Sequence, residues 1–276
     1  VSREFESDAK GCDDIAQQLI EFSYGDGLEV ALGGGKLMFL PSEEGGARGD
    51  KRNLPQEWVA RFGKGSYVTN TQSLNDSKSE HLLGLFNADH MSFNDHRNKE
   101  DEPSLTEMTE KAIEVVSKND KGFFLMIESG RIDHGHHAGI AKLALSETVE
   151  FSRAIERARE LLGPDTLIVV TADHSHTMSM GGYPARGENI LGIAGKDING
   201  KPYTTLNYAN GRGYQEKRPD LSEVDTTADN YLQETAVPLP TETHGGDDVP
   251  VYAIGPGSQW FNGVMEQNVI FHLMKA

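Results

Sequence analysis

Two short apolar runs, Gly122-Phe-Phe-Leu-Met-Ile127 and Leu167-Ile-Val-Val170, each lead almost directly into a polar cluster. The first cluster is Glu128-Ser-Gly-Arg-Ile-Asp-His-Gly-His-His137, and the second is Asp173-His-Ser-His176. Apolar runs this short and this continuous suit strands covered on both faces, and a long helix-forming stretch from Ala138 to Leu162 separates them. That strand, helix, strand order predicts an α/β fold, a three-layer sandwich around a mostly parallel central sheet. Functional groups in such sheets collect beyond the carboxyl ends of the strands, which is where both clusters lie.

The rest of the chain reads as one partial α/β domain over residues 1–276 with an insertion. Ile15, Leu19 and Phe22 recur at helical spacing within Cys12 to Phe22, and Leu28 to Leu32 reads as a short strand closed by Gly33-Gly34-Gly35. That triplet lacks the spacing of a nucleotide-binding loop, so it is expected to be a turn. The polar stretches Pro41 to Lys64 and Asn70 to Glu80 are expected to be surface loops. Ser104-Leu-Thr-Glu107 has the pattern of a capping box, so a helix is predicted from Leu105 to Lys118. From residue 180 to 241 the pattern dissolves into Gly, Asn, Tyr and Pro, with one short helix candidate at Val224 to Gln233; it suits an inserted subdomain over the site. The apolar pattern resumes in Val249 to Ile254, and Asn262 to Ala276 is expected to form a closing helix.

Composition excludes some partners. With 43 acidic and 26 basic residues the formal charge is −17, so a nucleic-acid partner is not expected. No apolar run approaches the roughly 20 residues needed to cross a bilayer. The start, Val1-Ser-Arg-Glu-Phe-Glu, has neither an initiator Met nor the features of a signal peptide. Cys12 is the single cysteine, which fits a reduced compartment or a bridge to sequence outside this chain.

The clusters hold ligands for several ions. Asp133 and His137 are four apart, so one helical turn places a carboxylate and an imidazole on one side, as two ligands of a Zn²⁺ would be. His244 completes a three-ligand set that leaves a position open for water or substrate. Asp173 and His174, adjacent at a strand end, suit a second ion, and the oxygen ligand Glu128 suits Mg²⁺. His176 is placed to orient a ligand carboxylate, while His134 and His136 can hydrogen-bond substrate or water. Two transition ions about 4 Å apart clamp the attacking and leaving oxygens of phosphoryl transfer, so phosphate-ester hydrolysis leads. His81, His90, His96 and His272 are expected to be ordinary surface or core residues.

The segments Glu128 to His137, Thr171-Ala-Asp-His-Ser-His176 and Glu242-Thr-His-Gly-Gly-Asp-Asp248 resemble the alkaline phosphatases, in particular the animal-type branch and its bacterial relatives. Val30-Ala-Leu-Gly-Gly-Gly35 and Leu83-Gly-Leu-Phe86 match as well. The resemblance implies one magnesium on Glu128, a first zinc on Asp133, His137 and His244, and a second zinc on Asp173 and His174. It places His176 behind the ligands and His134 near bound phosphate. It also implies phosphate monoesters as substrates, a crown built from residues 180–241, a homodimer, and an extracellular, periplasmic or cell-surface location. A calcium site of the family would fall on Phe86, Asn87 and Glu102. Asn87 stands where a carboxylate is usual and Glu102 where a shorter Asp is usual, which weakens calcium binding.

In this family a serine directly after a metal-binding Asp attacks phosphorus and forms a phosphoserine. Asp76-Ser77 is the only Asp-Ser step, and it lies in a polar stretch with no strand before it. The chain therefore resembles the portion of an alkaline phosphatase that follows the nucleophile, with little activity expected of it alone. Cys12 resembles a position that pairs with an upstream cysteine. Two alternatives fit the same ligands: an inactive metal-binding fragment or pseudoenzyme, or a phosphodiesterase or sulfatase of the same superfamily.

Overall fold

The computed structural model describes residues 13–25 and 27–276, so Cys12 lies outside the described residues. The described residues form two compact units, one of those up to residue 128 together with 150–161, the other of residues 129–149 and 162–276.

The first unit carries a parallel sheet. Its strands are β1 (Val30–Gly33), β2 (Tyr67–Val68) and β3 (Leu82–Leu85), in the order β1-β3-β2, with β3 parallel to both neighbours. Every residue of β3 is buried, and its faces serve different cores. Leu83 and Leu85 pack with Ala16, Ile20, Leu54 and Trp58, whereas Leu82 packs with Val68, Leu74, Phe86 and Val115. A strand buried on both faces accounts for the unbroken apolar run.

Helices α1 (Ile15–Glu21), α2 (Leu54–Phe62), α3 (Thr71–Asp76) and α4 (Leu105–Val116) surround this sheet. The box predicted for α4 forms as expected: Ser104 Oγ accepts from Glu107 N, and the Glu107 carboxylate accepts from Ser104 N. Two expectations are corrected, because the polar stretches 41–64 and 70–80 contain α2 and α3. Side chains at their N-caps explain both. Asn53 accepts from Gln56 N, and Asn70 accepts from Ser73 N. Trp58 then anchors α2, buried and donating from its indole N–H to Ser66 O at 2.9 Å.

The strand predicted at Phe123 to Ile127 is also corrected. The segment lies outside any regular element and joins no ladder among the described residues. Leu125 and Ile127 are half-buried while Phe124 and Met126 are exposed. An apolar run becomes a strand only where a neighbour supplies ladder bonds.

The second unit begins with α5 (Arg131–His137) and the first turns of α6 (Ala141–Leu162), so the expected ligand loop is itself a short helix. Its strands are β4 (Ile168–Val170), β5 (Ser175–His176), β6 (Met178–Met180), β7 (Ile193–Lys196), β8 (Pro202–Thr204), β9 (Leu206–Gly211), β10 (Thr235–Pro238), β11 (His244–Gly245) and β12 (Tyr252–Ile254). Helix α7 (Gln267–Lys275) follows. β4 pairs antiparallel with β12, β5 with β11, and β9 lies between β10 and β6. Leu206, Tyr208, Ala141 and Leu191 form the core. No helix forms at Val224 to Gln233; Asp225 Oδ1 accepts from Thr227 N and Oγ1, a local turn that competes with helix.

Candidate metal centre

Three segments of the second unit converge. Helix α5 brings Asp133 and His137 to one face, with Asp133 Oδ1 3.2 Å from His137 Nε2. The β5–β11 ladder sets His176 opposite His244. Asp133 Oδ1 is thereby also 3.0 Å from His176 Nε2, 3.4 Å from His244 Nε2 and 3.9 Å from His174 Nε2. His137 Nε2 and His244 Nε2 are 3.1 Å apart.

The imidazole orientations give the cluster its chemistry. His137 Nδ1 lies 2.6 Å from Glu242 O, His174 Nδ1 lies 3.2 Å from Ser175 O, and His176 Nδ1 lies 2.8 Å from Glu242 Oε2. Each of these oxygens is an acceptor, so each Nδ1 carries a proton and, in the neutral ring, Nε2 is a lone pair. Three lone pairs therefore point at a carboxylate oxygen. Asp133 Oδ1 and His176 Nε2 are both buried without a hydrogen-bond partner, which is costly unless a cation balances them. A tetrahedral ion with bonds of about 2 Å separates its ligand atoms by about 3.3 Å, and the 3.1–3.4 Å spacings among Asp133, His137 and His244 suit it. Asp133, His174, His176 and His244 together place one ligand atom each within reach of a single ion, whereas the grouping of His137 and His176 with Glu242 is closed by the Nδ1 protons that face that residue.

The remaining residues named from the sequence are placed as follows. Asp173 is exposed, with Oδ2 3.4 Å from His174 Nε2. His134 Nδ1 is 2.9 Å from Arg131 Nη1; guanidinium only donates, so His134 accepts there and carries its proton on Nε2. Glu128 is exposed and belongs to the first unit. Also in that unit, Glu102 is buried, with one oxygen accepting from Asn87 Nδ2 and Ser92 Oγ and the other from Ser92 N. Those donors take three of the roughly four acceptor positions of the carboxylate, and Phe86 is buried in the core with Leu74, Leu82 and Val115. Ser77 closes helix α3 and donates its hydroxyl to Gly65 O.

Two groups were not assigned from sequence. Glu242 sits two residues before His244 and is fully buried. Tyr208 OH lies 2.8 Å from His136 Nδ1, and the His136 ring stacks on His176 with centroids 4.5 Å apart. Burial, then the neighbouring His176, pull the His136 pKa down to about 4, so that ring is a neutral wall behind the ligands. Only the alternation Glu242-Thr-His244 hinted that the glutamate faces the same way as the ligand.

The spacing of α5 against α6 rests on Gly135. A Cβ at this position would lie 2.6 Å from Ala144 N and 2.9 Å from Ala144 Cα. Gly135→Ala is therefore expected to lower stability by about 1–3 kcal/mol, as overpacking does, and to tilt Asp133 and His137. A urea unfolding midpoint equal to that of the parent protein would refute this.

The family model for alkaline phosphatase matches residues 1–276. Alkaline phosphatase of Gadus morhua is 46% identical, over 96% of this chain and 60% of the relative. The tissue-nonspecific isozyme of Gallus gallus is 47% identical, over 96% of this chain and 55% of the relative. A membrane-bound alkaline phosphatase of Bombyx mori is 42% identical, over 97% and 52% respectively. The chain thus spans little more than half the length of these curated relatives. Among solved structures, the alkaline phosphatase of Thermus thermophilus superposes with a TM-score of 0.53 and 29% identity, over 62% of this chain and 35% of that one. The alkaline phosphatase of the Antarctic bacterium TAB5 superposes with a TM-score of 0.59 and 22% identity, over 94% and 61%, which shows the shared fold.

Proposed function

The chain belongs to the alkaline phosphatase family, and from that premise we propose that it supplies the metal-binding residues of a phosphate-monoester hydrolase. The observation that carries the reading is the buried, unpartnered Asp133 Oδ1 surrounded by imidazole nitrogens.

In this reading Asp133, His137 and His244 hold a first zinc, Asp173 and His174 a second, and Glu128 a magnesium. Bound there, divalent ions supply Lewis acidity toward phosphoryl oxygens and make an oxygen nucleophile available near neutral pH. The residues of the chain do the positioning. Asp133 contributes negative charge to the cluster, and His137 is held with its lone pair facing that carboxylate. His134, protonated on Nε2 by its contact with Arg131, offers a donor suited to a phosphate oxygen. Residues 180–241 are proposed to form the crown and the protein to be a dimer; a location at the cell surface or outside the cell is proposed as well, the surface part in keeping with the name of the membrane-bound relative.

The test uses the full-length protein. Metal analysis should return two zinc and one magnesium with no calcium, and p-nitrophenyl phosphate should be hydrolysed at alkaline pH. A protein without zinc, or without turnover once zinc is bound, would overturn the reading.

A further inference from the structure

We propose that Glu242 is a positioning residue that presets the metal centre, its carboxylate holding His176 and its main chain holding His137. The inference rests on the phosphatase reading above and concerns how its ligands are aimed.

Glu242 is 0% exposed, and among the described residues the basic side chains within 4 Å of its carboxylate are histidines, with no lysine or arginine. Each oxygen has a separate task. Oε1 accepts from Thr177 N at 2.7 Å and Thr177 Oγ1 at 2.8 Å, while Oε2 accepts from His176 Nδ1 at 2.8 Å. Its main chain clasps α5 in both directions: Glu242 N donates to His137 O at 3.2 Å, and His137 Nδ1 donates to Glu242 O at 2.6 Å. One residue thus fixes the tautomer of two imidazoles that arrive from α5 and β5.

A buried carboxylate is strongly unfavourable unless positive charge or strong donors compensate it. Here the compensation comes from the Thr177 amide and hydroxyl and from His176, whose other ring nitrogen faces Asp133. Partners of this kind, behind metal ligands, typically change metal affinity about 10–100-fold when removed.

Glutamine at this position is a discriminating substitution. Thr177 still needs an acceptor, so the amide oxygen faces Thr177 and the NH₂ faces His176 Nδ1. His176 must then accept on Nδ1 and carry its proton on Nε2, aimed at Asp133 Oδ1. A proton would then occupy the Asp133 oxygen that the ligands share.

The experiment is zinc competition against a chelator on the full-length protein, with Co²⁺ absorption as a second readout of ligand geometry. E242Q should bind zinc about 10–100-fold more weakly than the parent, with a shifted Co²⁺ spectrum. Glu150 is the control. It is buried and accepts from Thr106 N and Oγ1 without touching a histidine, so E150Q should leave zinc affinity and spectrum unchanged. Parent-like zinc affinity in E242Q, or an equal loss in E150Q, overturns the proposal. If E242Q does not fold, T177V decides: weaker zinc binding supports positioning through Oε1, and unchanged binding overturns it. A parent protein that binds no zinc would instead defeat the phosphatase reading itself.

Discussion

Asp133→Ala in the full-length protein is expected to lose one zinc equivalent and at least about 1,000-fold in kcat/KM toward p-nitrophenyl phosphate, or about 4 kcal/mol of transition-state stabilisation. The size follows from the position of Asp133 Oδ1, within 3.0–3.9 Å of four imidazole nitrogens. It is the only carboxylate of the proposed first site. Removing it leaves the proposed site with two neutral imidazoles and no anionic ligand to offset the charge of a divalent ion. The side chain is about one-third exposed, so the fold should survive with little loss. Zinc addition should then raise the thermal midpoint less than in the parent, because stabilisation by a ligand follows its affinity for the native state. Zinc stoichiometry equal to that of the parent would refute the assignment.

The largest loss of stability is expected in the first unit, from Arg48→Met. Arg48 is fully buried, and its guanidinium bonds Asp14 Oδ1 at 3.0 Å, Asp14 Oδ2 at 3.1 Å, Asp50 Oδ1 at 3.1 Å and Met38 O at 3.1 Å. Asp14 is also the N-cap of α1, accepting from Gln17 N, so Arg48 ties that helix to the loop before α2. Methionine keeps much of the volume but leaves two carboxylates without their cation. Breaking a buried pair in this way costs about 3–5 kcal/mol. The pH dependence has a definite sign. Burial pushes the Asp50 carboxyl up, but the bonds from Arg48 and Arg52 outweigh it, and its pKa lies below the usual value. Its contribution is therefore present above the ordinary aspartate pKa and lost as pH falls through the lowered one. Urea unfolding should show the full difference at pH 7 and a smaller one in strong acid; equal midpoints at pH 7 would sink the argument.

The features legible in the sequence are those set by neighbours along the chain. Ser104 and Glu107 are three apart and cap α4 by reciprocal bonds, while Asp133 and His137 are four apart and share a helical face. In α2 the helical signal is present, Leu54, Trp58 and Phe62 recurring every four residues behind the Asn53 cap, but polar and glycine-rich sequence before it masks it; α3 carries a single apolar residue, Leu74, and depends on its Asn70 cap and a distant core. The run at Phe123 to Ile127 misled for the opposite reason. Apolar content was visible, but whether a ladder forms depends on a non-local neighbour. Glu242 escaped because a fully buried carboxylate is defined by its surroundings, and in sequence it is one acid among 43.

The clasp between His137 and Glu242 joins residues 105 positions apart, and the bond between His176 and Glu242 joins residues 66 apart. In polymer terms, each closes a long loop whose entropic cost rises only slowly with length. An ion gripping both sides of that closure is a cross-link as well as a cofactor. It would restrain the second unit as a disulfide restrains a secreted domain, with the difference that a chelator, and not a reductant, cuts it.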